Sequence, residues 1–491
     1  MPTNTPQQNA FVERCSDPGS IVLGSVAGSG KTYTLQQAAQ TIKGTGRATS
    51  FSKATVTELG KKLPSTFPAR TMHGDGFDAL RNSIGKCTVD KSNNKVYEFI
   101  DSALKDTEEP WANGTAIKNL VSHAQTAGIV PEHNRFLTAD IESNWEALAD
   151  QYDLPFNSVI HQIARSALIH STKTAFDQNI ISFDDMLYLP LFYPIRLKQH
   201  KTIIVDEAQD LSPIQHALLR KQLRPGGRII AAGDRNQAIY AFRGAMTDSY
   251  GALITQFEAE EMALTVSFRC PKSVVREAQR YVPHIESAPN AIEGDVIEHE
   301  ELNIRSLPKT VLCRNNAPLI KLALRLLVAG VSAEVAGKDI GSGLISLTKR
   351  LASARNSDSM KTANFLAKVH RWADREIARK PKKRPTVLDK VSAFEALCEH
   401  HRTLGDIRYH LKQLYIDPDN KYRKPAEIHL TTIHKAKGRE WPEVLFLDPH
   451  LIPAKWAEQD WELQQEKNLA YVGVTRAQQI LHYCSSEGIY R

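Results

Sequence analysis

Residues Ser20 to Leu35, SIVLGSVAGSGKTYTL, constrain this chain more than any other stretch. The apolar run Ile21, Val22, Leu23 passes into a loop of small residues ending in Gly30, Lys31 and Thr32, and a helix-compatible segment follows from about Tyr33. That order is strand, loop, helix. Glycines let backbone N–H groups close around phosphate oxygens, and the helix N-terminus adds partial positive charge. Lys31 is then placed to reach the outer phosphates of a nucleoside triphosphate, and the Thr32 hydroxyl to meet magnesium. Ser25 stands where the GxxxxGK(S/T) pattern has its first glycine, one small residue for another. The expected phosphate-binding set is Ser25, Gly28, Ser29, Gly30, Lys31 and Thr32; a flexible Gly/Ser turn before an ordinary helix is the other reading of the loop alone.

Two later stretches fit the first reading. In KTIIVDEAQ (Lys201 to Gln209) an apolar strand delivers Asp206 and Glu207 at its C-terminal end, where α/β sheets bind ligands. One carboxylate can hold magnesium and the other can orient or deprotonate an attacking water. In GRIIAAGDRNQAIYAFRGA (Gly227 to Ala245) a second apolar strand leads to Gln237, which could sense a terminal phosphate, and then to Tyr240, Phe242 and Arg243, suited to a nucleic-acid face.

Length and composition bound the rest. At 491 residues the chain holds about three or four domain-sized units. With 42% hydrophobic and 24% charged residues, no apolar run of membrane-spanning length and no signal-peptide core in MPTNTPQQNA, a soluble, intracellular, cytoplasmic protein without a membrane partner is expected. Six scattered cysteines argue against a zinc site or disulfide framework, and a net charge of +7 mildly favours a polyanionic partner.

In chain order, Gln8 precedes the phosphate loop and could read an adenine edge through its amide, or simply start a polar helix. Arg47 to Leu59 reads as a strand running into a helix, followed by TMHGDGF at Thr71 to Phe77; Phe51 and His73 at strand ends suit a surface crossed by a sugar-phosphate chain. From Cys87 to Thr174 helical patterns dominate and strand signals are absent. The sheet is expected to return at ISFDDML (Ile181 to Leu187), and VLCRNNAPL (Val311 to Leu319) reads as a strand further on.

These motifs resemble those of superfamily 1 DNA helicases of the UvrD/Rep type, in a compact phage-type version, and run in family order from Gln8 to Arg476. DEAQD (Asp206 to Asp210), GDRNQAIYAFRGA (Gly233 to Ala245), TTIHKAKGREW (Thr431 to Trp441) and NLAYVGVTRA (Asn468 to Ala477) carry the likeness most specifically, and SFRCP (Ser267 to Pro271) looks like the fourth motif. The resemblance implies that Gln8 reads adenine, Phe268 packs on it, Glu440 contacts the ribose, Lys31 and Thr32 bind phosphate and magnesium, and Asp206 holds the metal. It makes Glu207 the base, Gln237 the γ-phosphate sensor, and Arg269 and Arg476 the arginine fingers. It places single-stranded DNA against Phe51, His73, Tyr240, Phe242, Arg243 and His434.

FSKAT at Phe51 to Thr55 departs from the family's FTNKA, and Glu466, Lys467 and Asn468 stand where another acidic and basic pattern is usual. The basic run RKPKKR (Arg379 to Arg384) reads either as a duplex-phosphate contact or as a solvated loop, with Pro381 and Pro385 excluding a regular helix through it.

The expected fold class is α/β, with two RecA-like parallel-sheet cores, each carrying a helical insertion. The expected divisions are 1–86 and 175–264 for the first core around an insertion at 87–174, and 265–340 and 426–491 for the second around a short insertion at 341–425. The resemblance implies an ATP- and Mg2+-dependent helicase that moves 3′ to 5′ on single-stranded DNA and separates duplex, acting at junctions with replication or repair proteins. The alternative is a nucleic-acid-dependent ATPase that translocates or displaces proteins without unwinding.

Overall fold

The computed structural model describes residues 4–50, 52–105, 110–131, 137–152, 154–240, 248–336, 338–352, 357–379, 384–414 and 426–490. The chain divides into two compact units, Met1–Thr265 and Val266–Arg491.

The first unit holds strands β1 (Ile21–Ser25), β2 (Arg47–Ser50), β3 (Thr88–Val89), β4 (Ile180–Ile181), β5 (His200–Asp206), β6 (Leu223–Gly233) and β7 (Glu260–Leu264). Five of them form a parallel sheet in the order β2-β5-β6-β1-β7. Alternate residues of β1 serve opposite cores. Ile21 and Leu23 pack with the helices Pro6–Arg14 and Lys31–Thr41, whereas Val22 belongs to the core shared with the helices beyond residue 72. Burial on both faces is why β1, β5 and β6 read as continuous apolar runs. Register brings Gly24 beside Gly233 and Ser50 beside Asp206, so the C-terminal ends of distant strands meet.

Helices Asn94–Ala103, Pro110–Ala127, Glu142–Gln151 and Ser158–Gln178 fill the stretch read as helical. ISFDDML does not rejoin the main sheet as expected: β4 pairs only with β3, and Asp185–Phe192 is a helix. Its acids instead bolt the helical stretch in place. Lys95 Nζ lies 2.6 Å from Asp185 Oδ2 and donates to the carbonyls of Ser171 (2.8 Å) and Ile180 (3.0 Å), while Gln125 Nε2 donates to Asp185 Oδ1 (3.0 Å). Both charges are buried. Lys95→Ala is therefore expected to destabilise the first unit by about 3–5 kcal/mol, because it strands a buried carboxylate, and the pair Lys95→Met with Asp185→Leu to recover most of that loss in a urea titration.

The second unit carries β8 (Val266–Ser267), β9 (Glu286–Ser287), β10 (Asp295–His299), β11 (Leu302–Asn303), β12 (Thr310–Cys313), β13 (Ala333–Val335), β14 (Ile428–Thr432), β15 (Trp441–Leu447), β16 (Ala477–Cys484) and β17 (Ile489–Tyr490). Six form a second parallel sheet, β10-β16-β15-β12-β14-β13. The strand expected over Val311 to Leu319 is shorter: β12 stops at Cys313 and a helix runs from Asn316 to Val328. Helices Lys338–Leu351, Thr362–Arg379, Arg384–His400 and Leu404–Leu414 follow, and Phe365, Phe394, Leu404 and Leu411 share one core with Val311, Leu430 and Leu445 of the sheet. Pro385 sits in the first turn of its helix, where a missing N–H costs nothing. Positions 380–383 of the basic run lie outside the described residues. Both sheets, parallel and covered by helices, are those of RecA-like α/β cores. Among the described residues no helix is long and apolar enough to cross a membrane.

Candidate nucleotide and nucleic-acid sites

The loop after β1 is a phosphate cradle by its backbone. Gly28 and Gly30 adopt positive φ (74° and 76°), and Gly30 caps the helix that starts at Lys31. Ser25 Oγ ties the loop to β6 by donating to Gly233 O (3.0 Å). Gln8 uses its amide twice: Oε1 accepts from Thr5 N (2.9 Å) and Nε2 donates to Ser29 O (3.2 Å). The polar helix start is thus observed, as a capping box, and it braces the loop as well.

Lys31 is largely enclosed. Its Nζ lies 2.8 Å from Glu207 Oε1 and 3.5 Å from Asp206 Oδ1. Burial pulls its ammonium down, but the charges of Glu207 and Asp206 outweigh burial and hold its pKa above the ordinary lysine value. Thr32 Oγ1 donates to Asp206 Oδ2 (2.9 Å). Asp206 is fully buried, and burial raises its pKa against the opposing pull of Lys31.

From this cluster a polar relay crosses the sheet end. Gln209 Nε2 donates to Glu207 Oε2 (2.5 Å), Gln209 Oε1 accepts from Asp234 N (3.1 Å), and Asp234 Oδ2 accepts from Gln237 Nε2 (2.7 Å). Sequence reading missed Gln209 and Asp234, although both lie inside quoted motifs. Burial pushes Asp234 up to about 6, against the hydrogen bond from Gln237. A Cβ on Gly233 would stand 2.7 Å from Gln209 Oε1, the atom that accepts from Asp234 N, so a side chain there would press on the relay.

The residues fit a nucleoside triphosphate with magnesium. Ser29 Oγ is buried without a partner inside the cradle, as a group awaiting a phosphate oxygen would be. Thr32 and Asp206 together offer the hard oxygen donors that magnesium takes.

Of the residues expected to meet nucleic acid, His73 follows the Thr71 cap of helix Met72–Ile84, and burial lowers its pKa. The ring of Phe183 meets it edge-on, with centroids 6.4 Å apart, and remains 49% exposed. Phe183 was not singled out from sequence, because its segment read as strand; an exposed aromatic beside acids was the available signal. Tyr240 is half-buried, while Phe51, Phe242 and Arg243 lie outside the described residues.

In the second unit Arg269 forms an ion pair with Glu440, which also accepts from Gln478 Nε2 (3.0 Å). Phe268 is 48% exposed, and His434 is half-buried on the short helix Ile433–Ala436. Arg476 has no exposed surface: its guanidinium donates to Val472 O (2.8 Å), Arg439 O (3.0 Å) and Thr475 Oγ1 (3.0 Å). Burial, helped by the Arg269 charge, lowers its pKa to about 9. Glu466 is firmly paired: its oxygens accept from Arg314 Nη2 (2.7 Å) and Nε (3.0 Å) and from Ala454 N (2.9 Å).

A glycine-turned loop, two acids and a glutamine at adjoining strand ends, in a chain with a second RecA-like sheet, are the layout of a nucleotide-binding α/β protein. The chain belongs to the UvrD/Rep helicase family: the UvrD/REP helicase N-terminal domain matches residues 4–258, and the UvrD-like helicase C-terminal domain matches residues 245–487. It is 24% identical over 524 residues to F-box DNA helicase protein 1 of Schizosaccharomyces pombe, covering 97% of this chain and 57% of that protein. Over 525 residues it is 23% identical to F-box DNA helicase 1 of Gallus gallus, with 97% and 48% covered. To the ATP-dependent DNA helicase Rep of Escherichia coli it is 20% identical over 629 residues, with 97% and 90% covered. The chain spans about half the length of the two F-box relatives.

Proposed function

We propose that this chain hydrolyses ATP to move along single-stranded DNA, 3′ to 5′, and to separate the duplex ahead of it. The observation that carries this reading is the continuous relay from Lys31 through Glu207, Gln209 and Asp234 to Gln237, which connects the phosphate cradle to the segment leading into Tyr240. A change at the terminal phosphate can pass along such a chain to the nucleic-acid side, which is what coupling requires. The family membership and the relatives named DNA helicases support it.

In this reading Ser25, Gly28, Ser29, Gly30 and Lys31 hold phosphates, Glu207 takes a proton from the attacking water, and Gln237 senses the γ-phosphate. Thr32 and Asp206 would hold magnesium, which when bound neutralises charge building on the phosphate oxygens. Arg269 and Arg476 supply further positive charge, Phe268 and Glu440 meet base and ribose, and Gln8 meets adenine. His73, Tyr240 and His434, with Phe51, Phe242 and Arg243, meet DNA; Phe183 joins them by its place beside His73. The units proposed are a first core of 1–86 and 175–264 with its insertion at 87–174, and a second core of 265–340 and 426–491 with its insertion at 341–425.

The test is strand displacement from a fluorescent duplex bearing a 3′ tail, run beside ATP hydrolysis with and without single-stranded DNA. DNA-stimulated hydrolysis with strand release on the 3′-tailed substrate alone is expected. Stimulated hydrolysis with no release from any duplex would replace unwinding by translocation or displacement of bound proteins.

A further inference from the structure

We propose that the groove at the C-terminal end of helix Met72–Ile84 is an additional seat for single-stranded DNA, with Arg81 and Lys86 taking phosphate and Phe77 carrying a base. This extends the track proposed above and rests on that reading. The groove is an open depression of about 490 Å³ lined by Phe77, whose ring is partly buried against the core, and by Arg81, Asn82, Gly85, Lys86 and Cys87, two cations and one aromatic ring with no acid among the described lining residues.

Three features assign it to a nucleic-acid strand. His73, Phe77 and Arg81 are spaced by four and so lie on one helix face, which carries the track roughly 12 Å onward from His73. The Arg81 guanidinium stands 5.8 Å from the centre of the Phe77 ring, so ring and planar cation together make a platform of the kind on which bases stack without regard to sequence. Asp78, the acid nearest on the helix, is held by Arg70 at 2.7 Å and does not oppose a phosphate in the groove. Gly85, at φ 88°, turns the chain back so that Lys86 and Cys87 flank the helix end. The carbonyls of the last helical turn repel an anion, and the two cations together offset that repulsion.

Arg81 and Lys86 are exposed, so a paired substitution spares the core. The experiment measures binding of fluorescent oligothymidylate by anisotropy over a salt series, for the wild type, for Arg81→Ala with Lys86→Ala, and for Lys198→Ala with Lys201→Ala near the opposite end of β5. Each phosphate contact to a single strand adds about 0.7 to the salt slope, so the first pair should lower the slope by about 1.4 and weaken binding several-fold at low salt, with the second pair near the wild type. An unchanged slope in the first pair, beside a wild type that binds, overturns the seat and leaves the helicase reading standing. Equal losses in both pairs overturn it too, by reducing the effect to net charge. A wild type that binds no single strand at any salt removes the seat together with the reading beneath it.

Discussion

Glu207→Gln is expected to bind ATP and single-stranded DNA as the wild type does while hydrolysing ATP about 10²–10⁴-fold more slowly, the usual contribution of a positioned base. The residue sits just past β5 in a left-handed conformation (φ 56°), which few non-glycine residues adopt, and its own N–H donates to Asp206 Oδ1 (2.9 Å). Backbone strain at that point aims the side chain between Lys31 and Gln209. An amide of the same shape keeps an acceptor for either neighbour but cannot take a proton. It also removes a negative charge that raises Asp206, so the Asp206 carboxylate becomes easier to ionise. Single-turnover hydrolysis and nucleotide affinity, measured together, separate the outcomes: lost ATP binding with an intact fold would make Glu207 a structural or metal-binding residue. Lys31→Ala is a poorer probe than its motif suggests. It leaves the fully buried Asp206 without its cation and so changes stability as well as phosphate binding.

Replacing the two arginines should divide catalysis from folding. Arg269→Ala is expected to lower turnover roughly 10³-fold with little change in melting temperature, because its visible partner, Glu440, is partly exposed and keeps its hydrogen bond from Gln478. Arg476→Ala should lose as much turnover and also melt earlier, since it abandons the buried Val472 carbonyl, the part-buried Arg439 carbonyl and the Thr475 hydroxyl, to all of which the guanidinium now donates. Steady-state kinetics read against melting curves check both. A loss within about twofold for Arg269→Ala would remove it from the phosphate site.

The parts of the site legible in the sequence were those written in a few consecutive residues. The loop from Ser25 to Thr32 and the acids closing β5 announce themselves because glycine conformation and strand-end position are local properties. What joins them was not legible. Gln209 reaches Asp234 only because β5 and β6 are neighbours in register, and Arg314 reaches Glu466 across 152 positions of chain. ISFDDML misled because a short apolar run with no periodicity serves a buried helix as well as a buried strand; Met186 to Pro190 are all buried, within a helix. The same error hid Phe183.

The strand order of the first sheet also dictates when the protein can become a protein. β1 lies between β6 and β7, the last two strands of that unit to leave the ribosome, so the apolar Ile21–Ser25 segment waits unpaired while some two hundred further residues are made. Closing so long a loop costs only logarithmically more than closing a short one, but it is slow. The helices between Asn94 and Gln178 contact one another over shorter separations and can assemble in the interval. A nascent chain stopped before Leu223 would thus carry every residue of the loop from Ser25 to Thr32 and neither strand that flanks β1, leaving an aggregation-prone edge where the finished molecule has the centre of its first sheet.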